Sequence, residues 1–377
     1  MKRVSSNGER ACTRIMRSKL IVLSLILLVL LGLSGGYVVG GLQAYSRFQQ
    51  SNLANEQHCG GQEPVHICVQ TPMEIFSAFY PSYVANQTHQ FTVKYSSSSP
   101  RTLLVSVSIV GISEVQTQTV NATAITQFAY FVPPLISQSF RKLTFEDSTS
   151  VQVQVTDTAR HIYYLNDIHL LLHSRWLMQW VASNRLQIGA WVTPDDPAVN
   201  TLVSQASSYL HLEPPPTPPA MIGYNRADAR EVVAQVDAIY DTLLLRYDIQ
   251  YLQASVPYGG PNSSTAATEN IKLPAEVLQQ KSGMCIELTV LLASAVERIG
   301  LQAEVVIIPG HAFLGVSVTP DSKHFEYWDA AQMSNKVAGD SDNVSTDALY
   351  TSNVKDHTIV DTILINDARN ANINAML

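Results

Sequence analysis

The feature that most narrows the fold is a strict two-residue alternation of apolar and polar side chains between residues 91 and 155. "FTVKY" sets Phe91, Val93 and Tyr95 against Thr92 and Lys94. "LLVSVSIVG" sets Val105, Val107 and Ile109 against Ser106 and Ser108, and "VQVQV" sets Val151, Val153 and Val155 against two glutamines. Successive side chains of a strand point to opposite faces, so each stretch reads as a strand with one buried face. The breaks at "SSSSP", "VPP" and "EDSTS" are turn chemistry. Together they predict an antiparallel, Ig-like β-sandwich over residues 71–190. Nothing in these strands points to a ligand, so the sandwich reads as a spacer rather than a binding module.

Upstream lies "LIVLSLILLVLLGLSGGYVVGGL", residues 20–42, which carries no charge. At about 1.5 Å per residue it would span a hydrocarbon core of about 30 Å as a helix. Residues 1–19 hold six Lys or Arg against Glu9, so this piece is +5 and the rest of the chain is −12. Basic flanks stay in the cytoplasm. The expectation is therefore a cytoplasmic segment at 1–19, a transmembrane anchor at 20–42 and a single-pass cell-membrane protein with its bulk outside. A cleaved signal peptide is the rival reading, but its apolar core would be shorter. Gly32, Gly36 and Gly40 recur every four residues, a spacing that lets two anchors pack as a homodimer. A Gly-rich end of the span explains them equally and is preferred. The charged fraction of 15% also fits a β-rich extracellular protein with a membrane segment. The acidic bulk, with no basic patch interleaved with aromatics, argues against a nucleic-acid partner.

Residues 43–70 read as a polar stalk. Cys59 and Cys68 lie nine apart in "HCGGQEPVHIC". A disulfide between them would staple a short loop in an oxidising compartment. His58 and His66 flank the pair, but the spacing matches no common zinc pattern, and no metal is expected. Cys12 falls on the cytoplasmic side, which leaves Cys285 as an unpaired thiol.

Cys285 sits in "KSGMCIELTVLL", at the first turn of a predicted helix whose stripe is Leu288, Leu291, Leu292, Ala295 and Ile299. Free N–H groups and the helix dipole there favour a thiolate and would stabilise an oxyanion. The Leu-rich stripe suits a structural cysteine as well. Downstream, "AEVVIIPGHAFLGVSV" reads as strand, tight turn and strand, with His311 26 residues after the cysteine. "KHFEYWDAA" is a further strand with Asp329 18 residues beyond His311. Thiolate catalysis needs an imidazole to carry a proton, and it benefits from a carboxylate that orients the ring. His324 rivals His311, and Glu326 rivals Asp329. Glu287 reads as a helix N-terminal charge. An amphipathic helix precedes the site in "NRADAREVVAQVDAIYDTLLLRYD", with Val232, Val233, Val236, Ile239, Tyr240, Leu243 and Tyr247 on one stripe.

"SGMCIELTVLLASAVERIGLQAEVV", "GHAFLGV" and "YWDAA" resemble the transglutaminase-like superfamily over about Leu273 to Ala331. The resemblance implies a papain-like α+β domain, placed at 191–377, with a Cys–His–Asp core. It implies that Cys285 forms a thioester with an acyl donor, His311 acts as base and Asp329 orients it. The family often follows the acid with Thr, whereas Ala330 and Ala331 follow here. A second oxyanion donor is often an upstream aromatic, for which Tyr251 and Tyr258 are candidates. No acidic loop of the calcium-binding type is present, so no cofactor is expected. The expected fold class is thus α+β: a transmembrane helix, an antiparallel sandwich, then the transglutaminase-like domain. The expected function is a membrane-anchored thiol enzyme acting on peptide or protein amides, by hydrolysis rather than crosslinking. The alternative is an inactive surface protein used for adhesion or assembly.

Overall fold

Nine strands between Glu56 and His173 build two sheets that close over one core. The computed structural model describes residues 56–224, 228–335 and 343–376. The first sheet runs in the order β1 (Glu56–Gly60), β2 (Val65–Thr71), β4 (Phe91–Ser97), β7 (Gln127–Phe131). The second runs β3 (Glu74–Phe76), β9 (Ile162–His173), β8 (Asp147–Asp157), β5 (Arg101–Ile109), β6 (Gln116–Ala122). Val65, Ile67, Phe91, Val93 and Phe131 of the first sheet pack with Val105, Val107, Val153, Val155 and Leu170 of the second. All of these except Ile67, at 1%, are fully buried, as the alternation requires.

Two details depart from the simplest reading. Strand β3 joins the second sheet parallel to β9, so that sheet is not purely antiparallel. The end of the expected stalk is sheet: Val65, Ile67 and Val69 are buried and alternate with His66, Cys68 and Gln70. Cys59 and Cys68 stand directly opposite each other across β1 and β2, with Cα atoms 4.0 Å apart, and form a disulfide.

The expected transmembrane helix is corrected. Among the described residues no helix is long and apolar enough to cross a membrane. The basic segment at 1–19, the anchor at 20–42 and the glycine-mediated homodimer all lie outside the described residues. The described residues form a mixed α/β fold with no membrane-spanning helix among them, and the expected single-pass cell-membrane placement finds no support there.

The second half surrounds one buried helix. Labelled in chain order, the helices are α1 (Tyr80–Ala85), α2 (Ser137–Lys142), α3 (Pro197–Ala206), α4 (Ala229–Leu245), α5 (Pro274–Gln280), α6 (Cys285–Arg298), α7 (Asn343–Lys355) and α8 (Ile365–Asn370). Helix α6 is buried all round from Cys285 to Val296, more than the expected stripe requires. Its polar residues turn inward harmlessly: Thr289 and Ser294 hydroxyls donate to the carbonyls of Cys285 and Val290 at 2.8 and 2.7 Å. Asp196 caps α3 by accepting from Ala198 N–H at 2.7 Å, with Pro197 in the first position. Short strands β10 (Leu177–Trp180) and β12 (Ala267–Asn270) pair antiparallel, and β11 (Gln250–Tyr251) pairs parallel with β13 (Ser282–Gly283).

The main sheet here has the order β16 (Phe325–Trp328), β15 (His311–Ser317), β14 (Ala303–Ile308), β17 (Asp361–Leu364), all antiparallel. Helix α6 packs on β14 and β15, and α7 packs on β16. Strand β14 is buried at every residue. Three tryptophans tie the end of the sandwich stretch to the segment that leads into α6. Trp176 Nε1 donates to Glu276 at 2.8 Å, Trp180 Nε1 to Glu269 at 2.8 Å and Trp191 Nε1 to the Ile271 carbonyl at 2.7 Å. Asn55–Leu377 accordingly clusters as one compact unit.

Glu213 is the least comfortable group in this core. Its residue is 6% exposed, and neither carboxyl oxygen has a hydrogen-bond partner. Burial, then the charges of Asp237 and Asp241, push its pKa up to about 8. The native state thus holds a proton that the unfolded chain releases near pH 4.5, so stability is fullest at low pH and falls as pH rises toward 8. Glu213→Gln should remove this slope. In denaturant titrations at pH 8 the variant should be more stable than the parent by ~3 kcal/mol, with the difference vanishing near pH 4.

Candidate active site

A two-residue turn and a glycine set the site's frame. Strands β14 and β15 are joined by Pro309–Gly310, with Ile308 opposite His311. Gly310 has φ of +73°, the left-handed region open to glycine at no steric cost. The turn makes His311 the first residue of β15. Strand β16 pairs with β15 in a register that sets Trp328 opposite Leu314. Asp329 then falls level with Phe313, diagonal to His311, within reach of long side chains. His311 Nε2 donates to Asp329 Oδ2 at 2.9 Å.

Cys285 is the first residue of α6. Glu287 reaches back to accept from the Met284 N–H at 2.9 Å and also takes the Lys272 N–H at 2.9 Å. It therefore acts as a helix-start charge and sits away from any proton-transfer role. Gly283 lets β13 lie against the helix, because a Cβ there would meet Leu288 Cδ2 at 2.9 Å. The Cys285 side chain acts on His311 electrostatically, raising its pKa. With Nε2 committed to Asp329, Nδ1 is the ring nitrogen left for the sulfur.

The imidazole is half-buried and feels opposing influences. Burial alone pulls its pKa down, but the hydrogen bonds and negative charge of Asp329 and Cys285 outweigh that and push it up to about 10. At neutral pH the ring is imidazolium, with both N–H groups donating. Asp329 is 3% exposed, and its second oxygen, Oδ1, accepts the Ala331 N–H at 2.9 Å. The Ala–Ala pair after the acid therefore supplies a backbone donor that needs no side chain.

The other candidates separate. Tyr251 lies beside Cys285 and Asp329: its pKa is raised by burial first and then by those two charges. Tyr258 belongs to a different cluster. Its hydroxyl donates to Asp361 at 3.0 Å and its ring stacks on Trp180 at 5.0 Å. His324 is exposed in the turn between β15 and β16, at the far end of the hairpin from His311. Glu326 stands opposite Val316, also away from His311.

Sequence reasoning missed what covers the sulfur. Cys285 is 1% exposed, and its thiol points at the Ala254 carbonyl at 3.8 Å. Residues 252–256 run across the site, with Leu252 N–H donating to Gly283 at 2.8 Å and Val256 N–H to Gly310 at 3.3 Å. A segment without hydrophobic periodicity carries no signal of such a position. Among the described residues no group of three or more His, Cys, Asp or Glu is arranged to hold a metal ion.

Comparison with known families gives one match. A family model of the transglutaminase-like superfamily matches residues 226–358. This stretch, less than half of the chain, is similar to that superfamily and contains Cys285, His311 and Asp329. No curated protein and no solved structure matches the chain.

Removing the carboxylate should release the imidazole. In Asp329→Asn the His311 ring should titrate well below 10, toward the ordinary 6.5. Histidine NMR across pH 5–11 reads this directly, and an unchanged midpoint would show that Asp329 does not set the charge state of the ring.

Proposed function

We propose that residues 226–358 form a thiol acyl-transfer enzyme acting on peptide or protein amides. One observation carries the reading: His311 Nε2 bonds Asp329 at 2.9 Å, in a ring whose pKa both Asp329 and Cys285 raise. In the first step the Cys285 sulfur attacks the amide carbonyl carbon, and the electron pair moves onto oxygen. The N–H groups at the start of α6 are the donors nearest to that oxygen's charge. The C–N bond then breaks as His311 delivers its proton to the leaving amine, which yields a thioester. Water next attacks the thioester, His311 removes its proton, and the C–S bond breaks to release the acid. An amine in place of water would give a transferred amide. Hydrolysis is the preferred outcome, and the acceptor decides it.

Asp329 keeps the ring oriented and supports its positive charge in both steps. The residues from Leu252 to Val256 lie over the sulfur, so an acyl donor must displace or pass them. The buried thiol also favours a second reading, a non-catalytic domain used for adhesion or assembly.

One experiment decides between the two. The full chain is screened against amide substrates, with and without an amine acceptor, beside Cys285→Ala and His311→Ala. The enzyme reading expects turnover that falls by about 10³-fold or more in either variant. Iodoacetamide should alkylate Cys285 faster than a model thiol, and a bulky maleimide should lag behind because it must clear residues 252–256. Alkylation at the model-thiol rate, unaffected by His311→Ala, would sink the enzyme reading.

A further inference from the structure

Strand pairing holds β16 only as far as Trp328, which faces Leu314 across the ladder. Asp329 comes immediately after the last pair and just before the 3-10 turn Ala330–Asn335. The ladder therefore does not fix the residue on which the orientation of His311 depends. Beside the Gln332 N–H of the following turn, which donates to the Asp329 carbonyl at 3.1 Å, what holds it comes from α4. The Trp328 indole Nε1 donates to Asp237 Oδ1 at 2.7 Å, and the Tyr240 hydroxyl donates to the Asp329 carbonyl at 3.1 Å. Asp237 and Tyr240 are three residues apart, so they share one face of the helix. All four residues are nearly sealed from solvent, at 0% for Trp328, 5% for Asp237, 2% for Tyr240 and 3% for Asp329.

We propose that Asp237 and Tyr240 are positioning residues for the His311–Asp329 pair. Neither touches the reacting atoms. Asp237 anchors the indole next to the acid through a charge-assisted bond, and Tyr240 fixes the peptide plane that carries it. With the backbone so held, the Asp329 carboxylate spans two donors, the Ala331 N–H and His311 Nε2, each at 2.9 Å. A shift of β16 by a fraction of an ångström would lengthen the second bond, and the imidazolium would lose its main support. Asp237 shares its buried helix face with a second acid, Asp241, and both charges bear on Glu213; a carboxylate buried among acids calls for an explanation. The catalytic meaning of this clamp rests on the thiol-enzyme reading above.

The test uses the full chain with Asp237→Ala, Asp237→Asn and Tyr240→Phe. Three quantities are read: the titration midpoint of the His311 ring by NMR, the iodoacetamide rate at Cys285 by mass spectrometry, and thermal melting. Asp237→Ala and Tyr240→Phe should lower the His311 midpoint by about one pH unit and slow alkylation about tenfold. Asp237→Asn keeps an oxygen for the indole and should recover most of both losses. Folded Asp237→Ala and Tyr240→Phe proteins with the wild-type His311 midpoint would overturn the proposal. Should Asp237→Ala fail to fold, Tyr240→Phe, which loses only a hydroxyl, decides it. Should wild-type Cys285 react no faster than a model thiol, the enzyme reading falls, while the midpoint comparison still decides the positioning role.

Discussion

The rest of the site depends on where one antiparallel ladder begins and ends. The Pro309–Gly310 turn starts β15 at His311, and β16 stops pairing at Trp328. Those two limits bring a histidine and an aspartate diagonally together at one end of the sheet. Helix α6, packed on the two central strands β14 and β15, delivers its first residue to that end. Cysteine, histidine and aspartate thus come from three different elements, and each sits at an end of its element. Element ends leave side chains free of regular packing neighbours, and backbone N–H groups there remain available.

Electrostatics then turns placement into chemistry. An imidazole taken out of water would ordinarily lose its proton. Here the Asp329 carboxylate and the sulfur of Cys285 reverse that and push the ring up to about 10. Burial weakens competition from solvent, so the bond to Asp329 counts for more than it would at a surface. Glu213 is the complementary case: burial first, then the charges of Asp237 and Asp241, hold its carboxyl protonated. Negative neighbours raise both groups, and burial opposes that shift at the imidazole and adds to it at the carboxyl.

Much of this was legible in the sequence because it was written in periodicity. The sandwich strands alternate, and their buried positions follow the alternation. The "PGH" turn and the "YWD" strand located His311 and Asp329 because turn chemistry and β pattern are local signals. Three things were not local. The sheet extends back through Val65, Ile67 and Val69, where Gln, His and Cys between them read as stalk. Tyr258 looked equivalent to Tyr251, yet its hydroxyl is claimed by Asp361, 103 residues away. Asp237 was invisible, since an acid on an amphipathic helix reads as a solvent-facing charge until Trp328 is seen to donate to it. The 20–42 run, whose apolar length and basic flank carried the expectation of a membrane span, lies outside the described residues, and no helix among those supports one.

A sealed thiol beside a leucine-rich helix would on its own be structural, and Cys285 is 1% exposed. The neighbours weigh the other way. A buried charged pair is weak support for stability, because desolvating both groups offsets most of their attraction. An apolar pair of similar volume would hold β15 and β16 together at least as well. Asp329 nevertheless has both oxygens satisfied, and His311 is kept protonated against burial. Such arrangements collect at functional sites. The covering segment is held unevenly: the middle of residues 252–256 meets the sulfur through one carbonyl contact of 3.8 Å, at Ala254, while Val256 at its end is buried and bonded to Gly310 at 3.3 Å. The segment is tied firmly at its start by the β11–β13 pairing and just past its end by Tyr258. Firm ends and a weakly held middle make the burial of Cys285 compatible with attack on a substrate that enters over that middle.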